Sequence, residues 1–121
     1  MFQIVVFDER RSSERTRKIL EQYAHKNQMS FQIETIFEEP KLLKYLGEHQ
    51  DLDVVFLDIR VGESVDGIDI AKKINILAPR VAIVFLTGYT DYATEVYDAR
   101  QLYFAKKEEL GQSLVGIFSR L

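Results

Sequence analysis

Apolar residues fall into two alternating rhythms along the chain. Short runs of apolar, β-branched and aromatic residues recur at Phe2 to Phe7 (FQIVVF), Phe31 to Phe37 (FQIETIF), Asp53 to Leu57 (DVVFL), Val81 to Leu86 (VAIVFL) and Leu102 to Ala105 (LYFA). Runs of this length and composition predict five strands. The first, third and fourth are almost continuously apolar, as central parallel strands covered on both faces require. FQIETIF alternates and carries Glu34, which places it at an edge.

The intervening segments have helical length and period. The first opens with Ser12 and Ser13 as N-cap candidates and puts Ile19, Leu20, Tyr23 and Ala24 on one face. The second begins at Glu39-Pro40, proline being suited to a first helical turn, and repeats Leu42, Leu43 and Leu46. A third runs from about Ile68 to Leu77, and a fourth begins after Thr90. The fifth carries Leu110, Leu114, Ile117, Phe118 and Leu121 on one stripe. Gly111 and Gly116 weaken that last helix by up to about 1 kcal/mol each, so packing must hold it. Five strands alternating with five helices imply right-handed crossovers and an α/β fold, a doubly wound parallel sheet with helices on both faces.

Composition narrows the function classes. The 121 residues fit one domain, residues 1–121, long enough to bury a real core. With 46% hydrophobic and 29% charged residues the chain reads as globular, and a net charge of -3 argues against nucleic acid as its main partner. It has no cysteine, which excludes a disulfide framework and thiolate metal sites and favours the cytoplasm. Its apolar runs are strand-sized, not membrane-sized, and MFQIVVFDERR lacks the form of a signal peptide.

Ligands of an open α/β sheet bind beyond the carboxyl ends of its strands. The first strand is followed by Asp8-Glu9, the third by Asp58, the fourth by Thr87-Gly88 and the fifth by Lys106. Three carboxylates, a hydroxyl and an ammonium then face one crevice. Crowded carboxylates raise each other's pKa unless a cation lies among them, and Mg2+, which binds one or two carboxylates with waters and a phosphate, answers that need. Asp58 at the centre is suited to attack phosphorus as a nucleophile, with the metal and Lys106 neutralising charge and Thr87 donating a hydrogen bond. Taken singly, each has a plainer reading: Asp58 as a turn residue, Asp8-Glu9 as a helix cap, Thr87 as a turn hydroxyl, Lys106 as a surface lysine. Their shared place after parallel strands favours the chemistry.

At these residues the sequence resembles the receiver domain of bacterial two-component response regulators, over the whole chain. LDI at Leu57 to Ile59, FLT at Phe85 to Thr87 and the following GYTDYATEVYDA most resemble receivers that precede LytTR-type DNA-binding domains. The resemblance implies a flavodoxin-like (CheY-like) fold of strand order 2-1-3-4-5, and Asp58 phosphorylated by a histidine kinase. It implies Mg2+ held by Asp8, Glu9, Asp58 and the backbone carbonyl of Arg60. Thr87 and Tyr103 become a switch pair that reshapes the face of the fourth helix, fifth strand and fifth helix. The implied partners are the kinase and an output domain or protein, with a DNA-binding domain beyond Leu121 or a homodimer among the forms. The resemblance further implies a phosphoacceptor that is not an enzyme on other substrates and that itself touches neither nucleic acid nor membrane.

Three departures from the family pattern stand out. RVGESVDG puts Gly62 where a proline is usual and Gly67 nine residues after Asp58, where the glycine is usually eight residues on. Lys107 stands in the place of the proline after the site lysine. Arg100-Gln101 precedes the fifth strand where small residues are usual. The altered loop motivates a competing reading, a pseudo-receiver that binds a partner without phosphorylation. A phosphatase with a nucleophilic Asp would need a second acid where Arg60 stands. The basic start of the first helix (Arg10, Arg11, Arg15, Arg17, Lys18) reads as a solvated face that can steer docking of the kinase, and His25 and His49 read as surface residues.

Overall fold

The computed structural model of the chain describes residues 1–61, 65–88 and 100–121. Its elements in order are β1 (Phe2–Phe7), α1 (Arg10–Lys26), β2 (Phe31–Ile36), α2 (Glu39–Glu48), β3 (Val54–Asp58), β4 (Arg60–Val61), β5 (Val65–Asp66), α3 (Gly67–Leu77), β6 (Ala82–Thr87), β7 (Tyr103–Lys106) and α4 (Leu110–Arg120). A 3-10 turn, Lys107–Glu109, joins the last two.

Five strands form one parallel sheet of order β2-β1-β3-β6-β7. Setting aside the short antiparallel hairpin β4/β5, this is the expected 2-1-3-4-5 order, with the alternating FQIETI strand at an edge. The described residues hold four of the five expected α-helices. The predicted helix after Thr90 falls on residues 89–99, outside those described.

Strand alternation divides the core in two. Val5, Phe7, Val55, Leu57, Ile83 and Phe85 face Leu42 and Leu46 of α2 and Ile68, Ala71 and Ile74 of α3. Ile4, Val6, Val54, Phe56, Val84 and Leu86 face Leu20 of α1 and Leu110, Leu114, Ile117 and Phe118 of α4. Each fully buried large side chain contributes about 1.5–3 kcal/mol of transfer free energy, so the central strands are held from both sides. An aromatic cluster closes the end away from the carboxyl edge, with Phe118 stacked on Phe31 at 4.7 Å between centroids and edge-on to Phe2 at 5.2 Å. Leu121, assigned to the same helical stripe, is instead 40% exposed.

Three local expectations are corrected. Helix α1 starts at Arg10 with Glu9 at its N-cap, so Ser12 and Ser13 lie inside the first turns and do not cap it. Ser13 is buried, and Ser12 faces the carboxyl edge of the sheet. Strands β3, β6 and β7 end one residue later than their apolar runs suggest, so Asp58, Thr87 and Lys106 are last strand residues held by the ladder. The loop after Asp58 contains the β4/β5 hairpin, which delivers Asp66 to cap α3 by accepting from the Ile68 N–H at 2.9 Å.

Arg100, an unusual residue at its position, anchors the approach to β7. Its backbone N–H and C=O bond to the side chain of Asn75 at 2.9 and 3.1 Å. Its guanidinium donates to the Pro79 carbonyl at 2.8 Å. The start of β7 is thus tied to the end of α3.

Candidate functional site

The carboxyl ends of β1 and β3 lie side by side, because β1 pairs with β3 in parallel with Phe7 opposite Leu57. The next residues, Asp8 and Asp58, are therefore neighbours, and both are buried. On the other side β3 pairs with β6, with Asp58 opposite Leu86, so buried Thr87 follows one step beyond. The Ile59 N–H donates to the Leu86 carbonyl at 3.1 Å, extending the ladder past Asp58.

The cation at this edge is Lys107. Its Nζ lies 2.9 Å from Asp8 Oδ2 and 3.1 Å from Asp58 Oδ2, and donates to Ser12 Oγ at 3.3 Å. Lys106, the lysine that the sequence reading put at this edge, ends β7 opposite Thr87. Alternation explains the displacement: Tyr103 and Ala105 pack toward α1 and α4, while Phe104 packs on the opposite face, and Lys106 shares the face of Phe104. Lys107 is the first residue of the 3-10 turn, released from the pleat, and its stem crosses the strand ends to the acids. Ser12 was legible only as a cap candidate, since its contact with Lys107 spans 95 positions.

Charge at the pair is only partly offset. Burial, then a hydrogen bond to Asp8 and the charge of Asp8, push the Asp58 carboxyl up to about 7, against the opposing pull of Lys107. Burial pulls the Lys107 ammonium down, but its bond to Asp8 and the charges of both acids outweigh that and raise it. Asp8 is further fixed through Oδ1, which accepts from the Glu9 N–H at 2.7 Å. A carboxyl pair of this kind is short of positive charge, which is the condition a hard dication relieves.

The remaining candidates lie further out. Glu9 is exposed at the start of α1, and no group of three or more acidic or histidine side chains able to hold a metal forms among the described residues. Arg60 contributes backbone to the β4/β5 hairpin. Tyr103 lies opposite Val84, three steps before Lys106 meets Thr87. Its ring is beside Gly116 and under the Arg120 guanidinium, 4.9 Å from its centroid. His25 is exposed, and His49 stacks on Tyr45 at 3.8 Å, away from the acids. Gly62 lies outside the described residues.

Gly67 supports the site from below. An added Cβ there would overlap the backbone carbonyl of Asp58 and come within 2.8 Å of Ile59 Cα and O. The Gly67 N–H donates to the Ile59 carbonyl at 2.6 Å. The first turn of α3 thus bears directly on the backbone that carries Asp58.

The family model described as "Response regulator receiver domain" matches residues 4–117. The transcriptional regulatory protein YpdB of Escherichia coli (strain K12) is 30% identical over 80 residues, covering 66% of this chain and 32% of that protein. The sensory transduction protein LytR of Streptococcus agalactiae is 32% identical over 77 residues, covering 64% of this chain and 29% of that protein. The chain thus spans about a third of the length of the curated relatives it matches. Among solved structures, the response regulator TrrA from Thermotoga maritima in complex with Mg(2+)-BeF aligns over 100% of both chains with a TM-score of 0.76 and 22% identity. The response regulatory domain of MrkE from Klebsiella pneumoniae aligns over 100% of this chain and 94% of that one, with a TM-score of 0.76 and 24% identity.

Proposed function

The chain belongs to the response regulator receiver domain family, and from that premise we propose that it is a phosphoacceptor signalling module whose acceptor is Asp58. The observation that carries the reading is Asp58 itself, buried at the end of a central strand with Asp8 beside it and the Lys107 ammonium at 3.1 Å.

In the proposed step a carboxylate oxygen of Asp58 attacks the phosphorus of a kinase phosphohistidine. The P–N bond breaks, the nitrogen keeps the electron pair and takes up a proton, and an acyl phosphate forms on Asp58. Lys107, within reach of the acceptor oxygen, offsets charge on the incoming phosphoryl group, taking the role that the sequence pattern gave to Lys106. Thr87 supplies a hydroxyl to a phosphoryl oxygen, and the Thr87–Tyr103 pair relays the change toward α4. The charge-poor pair of Asp8 and Asp58 fits Mg2+, which Glu9 and the Arg60 carbonyl would help hold. When bound, the ion supplies charge neutralisation to the transferring group.

The partners that follow are a histidine kinase and an output domain or protein, including a DNA-binding domain or a second copy of the chain, in the cytoplasm. Among the described residues no helix is long and apolar enough to cross a membrane. A phosphorylation-independent pseudo-receiver is the competing reading, motivated by the altered RVGESVDG loop after Asp58.

Incubation with a small acyl phosphate donor and MgCl2, followed by intact-mass measurement, separates the two. A single phosphoryl adduct is expected on the wild type and none on Asp58→Asn. Absence of any adduct, or its persistence in the variant, overturns the phosphoacceptor reading.

A further inference from the structure

At the amino edge of the sheet, opposite the acids, a cleft of about 340 Å3 lies between the end of α2 and the turn that leads from α3 into β6. His49, Gln50, Leu52, Leu77, Pro79 and Arg80 line it, and buried Leu52 joins it to the core. Both sides are fixed. His49 stacks on Tyr45 at 3.8 Å with Nδ1 3.0 Å from the Tyr45 carbonyl. Across from it, the Pro79 carbonyl accepts from the Arg100 guanidinium, and the Val81 N–H donates to the Ala78 carbonyl at 3.1 Å. The lip is apolar: Ile76 and Leu77, which end α3, are 80% and 61% exposed, the one adjacent pair of large apolar residues so exposed among the described residues. A scattered exposed apolar side chain is ordinary, whereas a pair beside a preformed cleft marks a contact surface. Charge around the lip is positive. Lys72 and Lys73 stand one turn back on the same helical face, Arg80 lines the cleft, and Arg100 lies against Pro79. Among the described residues Lys73 pairs with Glu39, while Lys72, Arg80 and Arg100 pair with no acid. Asp69 lies at the far end of α3, and Asp51 and Asp53 line the adjoining cleft.

We propose that this cleft and its lip dock an acidic amphipathic peptide segment of a partner protein, with an apolar side chain seated beside Ile76 and Leu77 and carboxylates facing Lys72, Arg80 and Arg100. Charge complementarity selects this occupant. The chain as a whole carries a net charge of -3 and is repelled by an anionic bilayer, and a concave cleft suits a side chain better than a lipid surface. A second copy docked through the same patch would set these cations against their own equivalents, a like-charge contact that opposes association.

The test selects binders to the intact chain from a phage-displayed library of random peptides, then measures the enriched peptides by fluorescence anisotropy. Enriched sequences are expected to place Leu, Ile or Phe at helical spacing among Asp and Glu. Ile76→Ser and Leu77→Ser are each expected to weaken their binding about tenfold. Arg80→Glu is expected to weaken it about fivefold, with the difference shrinking as salt rises. Val115→Ser, which removes an exposed apolar residue of α4, is expected to stay within about twofold of wild type. No enriched sequence, enriched sequences without acidic residues, or binding that Ile76→Ser and Arg80→Glu leave unchanged overturns the proposal. Sedimentation with phosphatidylglycerol vesicles that Ile76→Ser abolishes also overturns it, assigning the lip to lipid. A dimer that dissociates in the same variant overturns it in favour of a second copy. The assay contains no Mg2+ and no phosphodonor, so its result stands whether or not Asp58 accepts phosphate.

Discussion

Gly67→Ala is expected to destabilise the chain by about 3 kcal/mol, lowering Tm by roughly 12 °C. An alanine methyl at 67 would overlap the Asp58 carbonyl oxygen and lie 2.8 Å from Ile59 Cα and O. These neighbours are backbone atoms at the end of a central strand, so neither can move aside as a side chain tip could. Relief requires α3 to shift off the sheet, at the expense of the Gly67–Ile59 hydrogen bond and the seating of Ile68 and Ala71. Gly47→Ala is the matched control. A methyl there meets nothing within 4 Å, and Gly47 lies inside α2, so alanine is expected to stabilise by about 0.5–1 kcal/mol through helix propensity. Thermal denaturation of both variants checks the pair, and a Gly67→Ala variant as stable as wild type would show that the α3–β3 contact does not carry the site.

Asp58→Asn is expected to raise stability at neutral pH by about 2 kcal/mol, or roughly 8 °C in Tm. The sign follows from linkage. The Asp58 carboxyl titrates at about 7 in the folded chain and near 3.8 when unperturbed, so between those values the folded state holds the extra proton. Stability contributed by that proton is complete below about pH 4 and is lost as pH rises toward 7, by up to about 4 kcal/mol. Asparagine keeps the shape and removes the charge that faces Asp8. Denaturant unfolding from pH 5 to 8 should therefore show a falling curve for the wild type and a flatter one for Asp58→Asn. A wild type whose stability rises across that range would contradict the cause given for the Asp58 shift.

The fold was legible because its central strands are written as unbroken apolar runs. VVFLD and AIVFLT are near-continuous apolar runs of strand length, the mark of strands covered on both faces, and Glu34 in FQIETI marks the edge by itself. Pro40 at the start of α2 and the Leu110, Leu114, Ile117, Phe118 stripe of α4 were equally direct, since a missing N–H or a helical period acts locally. The acid pair was legible too, because strand ends locate it. What sequence spacing missed depends on geometry a few ångströms off the pleat. Lys106 and Lys107 are chemically identical neighbours, and the turn alone decides which stem reaches the acids. Ser12 looked like a cap because its true partner lies 95 residues away. The glycine nine residues after Asp58 gave no hint of the β4/β5 pairing before it, nor of a helix start that only glycine can bring so close to the strand.

The central claim is that Asp58 receives the phosphoryl group at an edge shared with Asp8 and Lys107. Borohydride reduction converts an acyl phosphate on aspartate to homoserine, which peptide mass spectrometry locates by residue. After incubation with an acyl phosphate donor and MgCl2, the account predicts homoserine at position 58 and at no other. Homoserine at position 8, or an unmodified peptide spanning Val54 to Ile59 in a folded and metal-loaded chain, would contradict it.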